Sequence, residues 1–484
     1  MNELLIKLKE LSKRPLITGT LILTLTGLVS RLIGFFYRIY LSRLFGEENM
    51  GIYQLISPVV SLSFSLCAAG YQTAVSKMTA ELAACWPGKR DTAKNLPLWA
   101  SLTISLPLSA LCTLSTYALA GPIGCNLLKE PRTVPLLRVI AFSFPFVGIH
   151  ACINGWFYGM KKAGLPALAQ IIEQLTRVAC VFFLTASDLA KGGTVSISTA
   201  VLGLAVGEIV SMSVAVITFL PYLGPKAALA PSHNSAPLTS NASNGFTSAS
   251  DLSAVALPPM RSIYRGLMGM ALPLTANRLV LTLLGSAESV AIPDRLRAYG
   301  YNVETSLSVY GVLTGMALPL IFFPNALTGS IAVMLLPMIS ENHCLQKMDV
   351  VRSLTFRTLK YCLMMGLACL SVFVLFGPFL GNAMFHSALA GRCIRTLGWI
   401  CPFLYLDTTL SSILQGLGKA GTIFMINVLS LLTRLAFVYL AIPRFGLRGY
   451  LWGMLAGQLL LTALYGICLV RFFSINDTPK TMPE

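Results

Sequence analysis

Residues 135–177 read PLLRVIAFSFPFVGIHACINGWFYGMKKAGLPALAQIIEQLTR, and residues 392–434 read RCIRTLGWICPFLYLDTTLSSILQGLGKAGTIFMINVLSLLTR. At a shift of 257 residues the two stretches align without a gap. Arg138 meets Arg395, Pro145-Phe146 meets Pro402-Phe403, Lys162-Ala163-Gly164 meets Lys419-Ala420-Gly421, and Leu175-Thr176-Arg177 meets Leu432-Thr433-Arg434. Chance does not repeat residues this unusual in apolar surroundings so often. The match extends outward: Gly203, Gly207 and Glu208 pair with Gly453, Gly457 and Gln458, and the 17-residue spacing of Arg14 and Arg31 returns between Arg261 and Arg278. The chain is an internal duplication.

Composition says what is duplicated. Of 484 residues, 55% are hydrophobic and 11% charged, and mean hydropathy is +0.72. An average soluble domain has about 25% charged residues, and a folded protein in water needs a wettable exterior. Lipid must therefore be the solvent for most of this chain. A spanning helix needs about 20 apolar residues. Twelve stretches qualify: 16–40, 51–74, 96–119, 135–159, 166–187, 195–221, 264–286, 307–337, 357–380, 395–416, 421–442 and 447–471. No alternating barrel pattern competes with helices. The expected fold is an all-α polytopic membrane protein with two six-helix lobes.

Residues 222–262 are rich in Ala, Ser, Pro and Asn, with no Lys or Arg between Lys226 and Arg261. They read as a flexible cytoplasmic linker. The expected division is an N-lobe at 1–221, the linker, a C-lobe at 263–472 and a cytoplasmic tail at 473–484.

The formal charge is +17, from 36 Lys and Arg against 19 Asp and Glu. With the N-terminus inside, inner segments carry roughly twice the Lys and Arg of outer ones, which places both termini in the cytoplasm. The basic loops suit anionic membrane lipid. They do not suit nucleic acid, since no basic stripe interleaves with aromatics. The run after Arg14 is about 25 residues, too long for a cleavable signal peptide. The 12 cysteines lie mostly within apolar runs and form no Cys-x-x-Cys, so they read as packing residues. Cys125 and Cys393 fall near one face and could bridge, though no spacing demands it.

Halves with an even number of spans enter the membrane the same way round. Such parallel repeats put a substrate path between the lobes and open it by rocking one lobe against the other. Gly203-x-x-x-Gly207 and Gly453-x-x-x-Gly457 would let helices approach closely, primarily as packing.

Ionisable groups within lipid are costly and usually face a cavity or a partner. Arg31 and Arg38, seven residues apart, share one helix face, and Arg278 repeats Arg31. The guanidinium fork suits phosphate, so these three are the candidate substrate-binding residues of a cationic cavity. For Arg38 the alternative is snorkelling to the interface. Glu173 and Arg177 are spaced for an intrahelical ion pair, and Arg434 repeats Arg177. Asp407, opposite His150 in the repeat, and Glu208, opposite Gln458, could carry H⁺ or Na⁺ to drive transport. No catalytic residue, metal site or organic cofactor is expected.

These residues also carry a resemblance. Gly19-Thr20-Leu21-Ile22-Leu23, Ser30-Arg31-Leu32-Ile33-Gly34-Phe35, Arg38, Leu44-Phe45-Gly46-Glu47-Glu48, Gly51-Ile52-Tyr53 and Ala74-Val75-Ser76-Lys77 with Glu81 resemble the stage V sporulation protein B group. So do Leu335-Leu336-Pro337-Met338-Ile339-Ser340-Glu341 and Leu414-Gln415-Gly416-Leu417-Gly418-Lys419. That group belongs to the multidrug/oligosaccharidyl-lipid/polysaccharide (MOP) exporters. The resemblance implies a V-shaped two-lobe fold, export of polyprenyl-pyrophosphate-linked sugars, and a link to peptidoglycan and spore cortex. It places Arg31 at the first-span Ser-Arg motif of the related lipid II flippases. Those flippases carry two further C-terminal helices that hold the lipid tail, and the resemblance does not extend to them.

Two other readings stay open. A drug–cation antiporter of the same superfamily would favour acidic cavity residues over Arg31 and Arg38. A membrane glycosyltransferase or polymerase would need a positioned base or metal-binding carboxylates. The chain has no Asp-x-Asp, and His150, His233, His343 and His386 are scattered.

Overall fold

The computed structural model describes residues 15–85, 93–190, 192, 195–222 and 259–477, and every regular element among them is helical. The N-terminal half comprises α1 (Pro15–Leu55), α2 (Ser57–Phe64), α3 (Gly70–Cys85), α4 (Leu96–Ala118), α5 (Thr133–Ala141), α6 (Phe144–Gly159), α7 (Gly164–Ala190) and α8 (Ser198–Phe219). The C-terminal half comprises α9 (Met260–Tyr299), α10 (Val303–Gly311), α11 (Leu318–Phe322), α12 (Asn325–Cys344), α13 (Met348–Phe385), α14 (Ala388–Leu397), α15 (Cys401–Gly416), α16 (Ala420–Leu440) and α17 (Leu447–Asp477). Residues 223–258, the bulk of the expected linker, lie outside the described residues, as do 1–14 and 478–484. Residues 260–262, assigned to the linker by composition, form the first turn of α9, and α17 runs on to Asp477.

Among the described residues ten helical stretches are long and apolar enough to cross a membrane, and the bent pair α5–α6 makes eleven. One stretch, Leu25–Ala84, has 60 residues. At 1.5 Å per residue it is about 90 Å long, against a hydrocarbon core of about 30 Å. It therefore supplies two crossings, which restores the twelve read from sequence. The first ends at Gly46, whose φ of 75° lies in the left-handed region that glycine adopts without strain. Large side chains facing outward, such as Phe183, Leu375, Leu440 and Val470, are each about 70% exposed, as lipid contact requires.

The duplication is visible in three dimensions. Helices α5 and α6 meet at a 43° bend. In the second half α14 and α15 break at the equivalent place. Pro145 and Pro402 sit in the first turns of α6 and α15, where a missing N–H costs nothing. Gly203 and Gly207 lay α8 on α7, and Gly453 and Gly457 lay α17 on α16. In lipid, where apolar transfer gives no drive, such close backbone packing holds helices together.

The lobes are latched at one end. There Arg43 donates to the carbonyls of Met384 (2.7 Å) and Ala383 (2.5 Å), and Lys129 pairs with Asp294 at 2.5 Å. A Cβ on Gly51 would collide with the Leu307 carbonyl oxygen, so this seam is backbone against backbone. Helix α9 crosses the lobe line. Its Ile263, Leu267 and Ala271, spaced four apart, pack into the N-lobe core with Val75, Trp156 and Phe219. Its far half packs beside α16. Cys125 is exposed, Cys393 is buried, and both are free thiols, so the bridge left open by the sequence is not made.

Candidate functional site

Arg31 and Arg38 project from one face of α1, two turns apart, and each lines two cavities. One, of about 470 Å³, lies within the N-lobe and is walled by α1, α2, α7 and α8. The other, of about 380 Å³, lies between the lobes against Pro319, Phe322, Phe323 and Asn325. Phe35 stacks on Phe323 across this second cavity, with ring centroids 4.8 Å apart. Both arginines are exposed to these spaces. Among the described residues neither guanidinium has a hydrogen-bond or carboxylate partner in the protein. Arg177 lines the N-lobe cavity with them.

Arg278 stands apart from this pair. It lines a third cavity, of about 340 Å³, together with Glu208 and Thr282. Val60, Ser61 and Leu204 border both this cavity and the N-lobe one, so the two adjoin across a thin rib. Ser65 and Thr282, 2.9 Å apart, join the lobes at this level.

Glu173 and Arg177 form the spaced ion pair, with Nη2 to Oε1 at 2.8 Å. Arg177 also stands 3.9 Å from Glu208, and His150 Nδ1 stands 3.9 Å from the other Glu208 oxygen. One guanidinium thus serves two carboxylates. Among the described residues Glu208 Oε2, His150 Nδ1 and Arg177 Nε are all buried without a hydrogen-bond partner.

Asp407 lies elsewhere, buried between α15 and α17. Its carboxylate accepts from Thr462 Oγ1 at 2.7 Å and from Gln458 Nε2. The repeat places His150 opposite Asp407 and Glu208 opposite Gln458. In space His150 meets Glu208 in the N-lobe and Asp407 meets Gln458 in the C-lobe, so the carboxylate sits on opposite partners in the two halves.

The sequence reading missed Glu288. It is 4% exposed and receives both Nε (3.1 Å) and Nη2 (2.7 Å) of Arg434. The apolar count closed the seventh span at 286, whereas α9 continues to Tyr299. Three glutamines, Gln54, Gln170 and Gln174, also line the N-lobe cavity. Uncharged amides in apolar spans raise no signal in a search for charges.

The chain is 27% identical to stage V sporulation protein B of Bacillus subtilis (strain 168), over 96% of this chain and 86% of that protein. It is 22% identical to the lipid II flippase MurJ of the same organism, over 94% of this chain and 82% of MurJ. An inward-facing multidrug resistance MATE transporter of the MOP superfamily superposes with a TM-score of 0.68 at 17% identity, over 93% of this chain and 96% of that one. Lipid II flippase MurJ in its inward closed conformation gives 0.66 at 13% identity, over 93% and 87%. These likenesses establish a MATE-like fold in a multi-pass membrane protein. A family model described as polysaccharide biosynthesis protein matches residues 16–343, more than half of the sequence, and the chain belongs to that family.

Proposed function

We propose that this protein is a flippase that moves a lipid-linked sugar precursor, of the lipid II kind, across the bacterial plasma membrane by alternating access. The observation that carries the reading is the placement of Arg31 and Arg38. Two guanidiniums with no hydrogen-bond or carboxylate partner among the described residues, two turns apart on one helix face, open both into the N-lobe and into the space between the lobes. Unspent guanidiniums in a low-dielectric setting are strong ligands for a pyrophosphate. A cationic drug would meet repulsion there, which disfavours the antiporter reading. The similarity to stage V sporulation protein B supports a link to sporulation.

Coupling falls to Glu208. It faces a cavity and shares the Arg177 guanidinium with Glu173, and a buried carboxylate at such a place can take up a proton or Na⁺ during transport. The excess of Lys and Arg on the segments assigned inside supports cytoplasmic N- and C-termini. No enzymatic step is proposed.

The direct test is translocation of lipid II in proteoliposomes, wild type beside Arg31→Ala. Translocation that depends on Arg31 is the expected result. Well-folded wild-type protein that moves no lipid II would direct attention to another lipid-linked sugar, and failure with every polyprenyl-pyrophosphate sugar would overturn the reading.

A further inference from the structure

The N-lobe cavity holds a second kind of chemistry beside its guanidiniums. Gln54, Gln170 and Gln174 line it together with Tyr53, Tyr37 and Ser30. Among the described residues none of the three amides has a hydrogen-bond partner within the protein. The Ser30 and Tyr37 hydroxyls are buried and unpartnered, and both residues are only 6% exposed. Buried hydroxyls are nearly always paired, so unpaired ones on residues that line a cavity mark a place where a side-chain adjustment lets a ligand complete the bonding.

The repeat supplies an internal control. At the shift of 247 that pairs Arg31 with Arg278, Tyr37 and Arg38 correspond to Leu284 and Gly285. At the shift of 257, Gln174 corresponds to Leu431 and Gln170 to Asn427. Leu431 has no polar group to offer a ligand. Asn427 spends its amide on its own helix, donating to the Ile423 carbonyl at 3.0 Å. The C-lobe therefore folds and packs with leucine in place of Tyr37 and of Gln174. The Tyr37 hydroxyl and the Gln174 amide are not required by the architecture that the two halves share.

We infer that this wall of the N-lobe cavity is the subsite that reads the sugar of the lipid-linked head group, with Gln54, Gln170, Gln174, Tyr37 and Ser30 bonding its hydroxyl and amide groups while Arg31 and Arg38 hold the pyrophosphate. The inference rests on the flippase reading above. A carboxamide offers a donor pair and an acceptor on one rigid plane, which matches the donor–acceptor character of sugar hydroxyls and N-acyl groups. The Tyr53 ring adds a flat apolar face of the kind that a pyranose ring can cover. Gln170 and Gln174 stand on α7 above Arg177, and Ser30 and Tyr37 adjoin Arg31 and Arg38 on α1, so neutral and cationic groups share one cavity, as a ligand with a neutral sugar and a charged linker requires. The subsite belongs to one lobe, so the sugar travels with the N-lobe as the lobes rock.

The test compares two probes on the full-length protein in nanodiscs: polyprenyl pyrophosphate without sugar, and lipid II. The double variant Gln170→Met/Gln174→Met keeps side-chain volume and removes both amides. It is expected to weaken lipid II binding about tenfold, the loss of two neutral hydrogen bonds, and to leave polyprenyl pyrophosphate binding at the wild-type value. Tyr37→Phe should weaken lipid II binding severalfold and spare the sugar-free probe. Equal weakening of both probes, or of neither, would overturn the subsite. Wild-type protein that binds polyprenyl pyrophosphate through Arg31 and gains nothing from the sugar would overturn the subsite and leave the flippase reading standing. Wild-type protein that binds neither probe would remove both.

Discussion

Arg434 on α16 donates through Nε and Nη2, at 3.1 and 2.7 Å, to a single carboxylate oxygen of Glu288 on α9. Its repeat partner Arg177 divides itself between Glu173 and Glu208. The same arginine thus closes a one-to-one ion pair in the C-lobe and an unbalanced cluster in the N-lobe. Removing one partner of a buried pair strands the other charge. Arg434→Leu should therefore destabilise the protein by about 3–5 kcal/mol. The double variant Glu288→Leu/Arg434→Leu should recover most of that loss, because neither charge is left behind. Thermal unfolding of the detergent-solubilised protein, followed by size-exclusion of the surviving fraction, measures both. Arg434→Leu melting at the wild-type temperature would show that the pair contributes nothing.

The architecture was legible because its causes are local and repeated. Pro145 and Pro402 announce the same break in both halves, and apolar length alone counts twelve crossings. Of the candidate site, only the charged residues were legible: Arg31, Arg38, Arg278, Arg177 and Glu208 line cavities, and Glu173 pairs with Arg177. Glu288 escaped because Ser286 and Ser289 flank it and Pro293-Asp294-Arg295 follows, so the apolar run ends before the helix does. The glutamines escaped because an amide in a span looks the same whether it is spent on a neighbouring carbonyl, as in Asn427, or left unspent, as in Gln170. The separation of Asp407 from Glu208 needed coordinates, since the repeat gives both the same rank.

Asp407 and Glu208 should now behave differently. Asp407 is held by Gln458 and Thr462 in the interior of the C-lobe. Asp407→Asn is expected to lower thermal stability and to leave the pH and Na⁺ dependence of transport in place. Glu208 borders a cavity, with an oxygen that has no hydrogen-bond partner. Glu208→Gln should flatten the dependence of lipid translocation on pH or Na⁺ while the protein stays folded. Transport assays in proteoliposomes across imposed pH and Na⁺ gradients decide this. A wild-type profile in Glu208→Gln together with an altered one in Asp407→Asn would reverse the assignment.

The three candidate arginines should not be equivalent. Arg31 and Arg38 open to both the N-lobe and the inter-lobe cavities, whereas Arg278 lies across the Val60–Ser61–Leu204 rib in the cavity that holds Glu208. A charge-assisted hydrogen bond contributes about 1.5–3 kcal/mol, so Arg31→Ala should slow lipid II translocation by about 10- to 100-fold. Arg31→Lys should fall between, since it keeps the charge and loses the fork. Arg278→Ala should cost less than Arg31→Ala. Initial rates in proteoliposomes rank the three, and Arg278→Ala as the most severe variant would move the pyrophosphate site into the Glu208 cavity.

Arg43 offers a handle on the rocking motion. It binds the last carbonyls of α13 across the lobe seam, where unsatisfied C=O groups at a helix C-terminus attract a cation. Opening this end of the protein must break that contact along with the Lys129–Asp294 pair. Arg43→Ala removes stabilisation from the latched state only, so the population should shift toward the state in which this end is open. Spin labels at Asn126 in the N-lobe and Glu304 in the C-lobe, both exposed near the seam, report the separation in a cysteine-depleted background. The distance distribution should gain a longer component in Arg43→Ala, and Arg43→Lys should restore part of the short one. A distribution identical to wild type would mean that the backbone contact of Gly51 with Leu307 latches this end without help from Arg43.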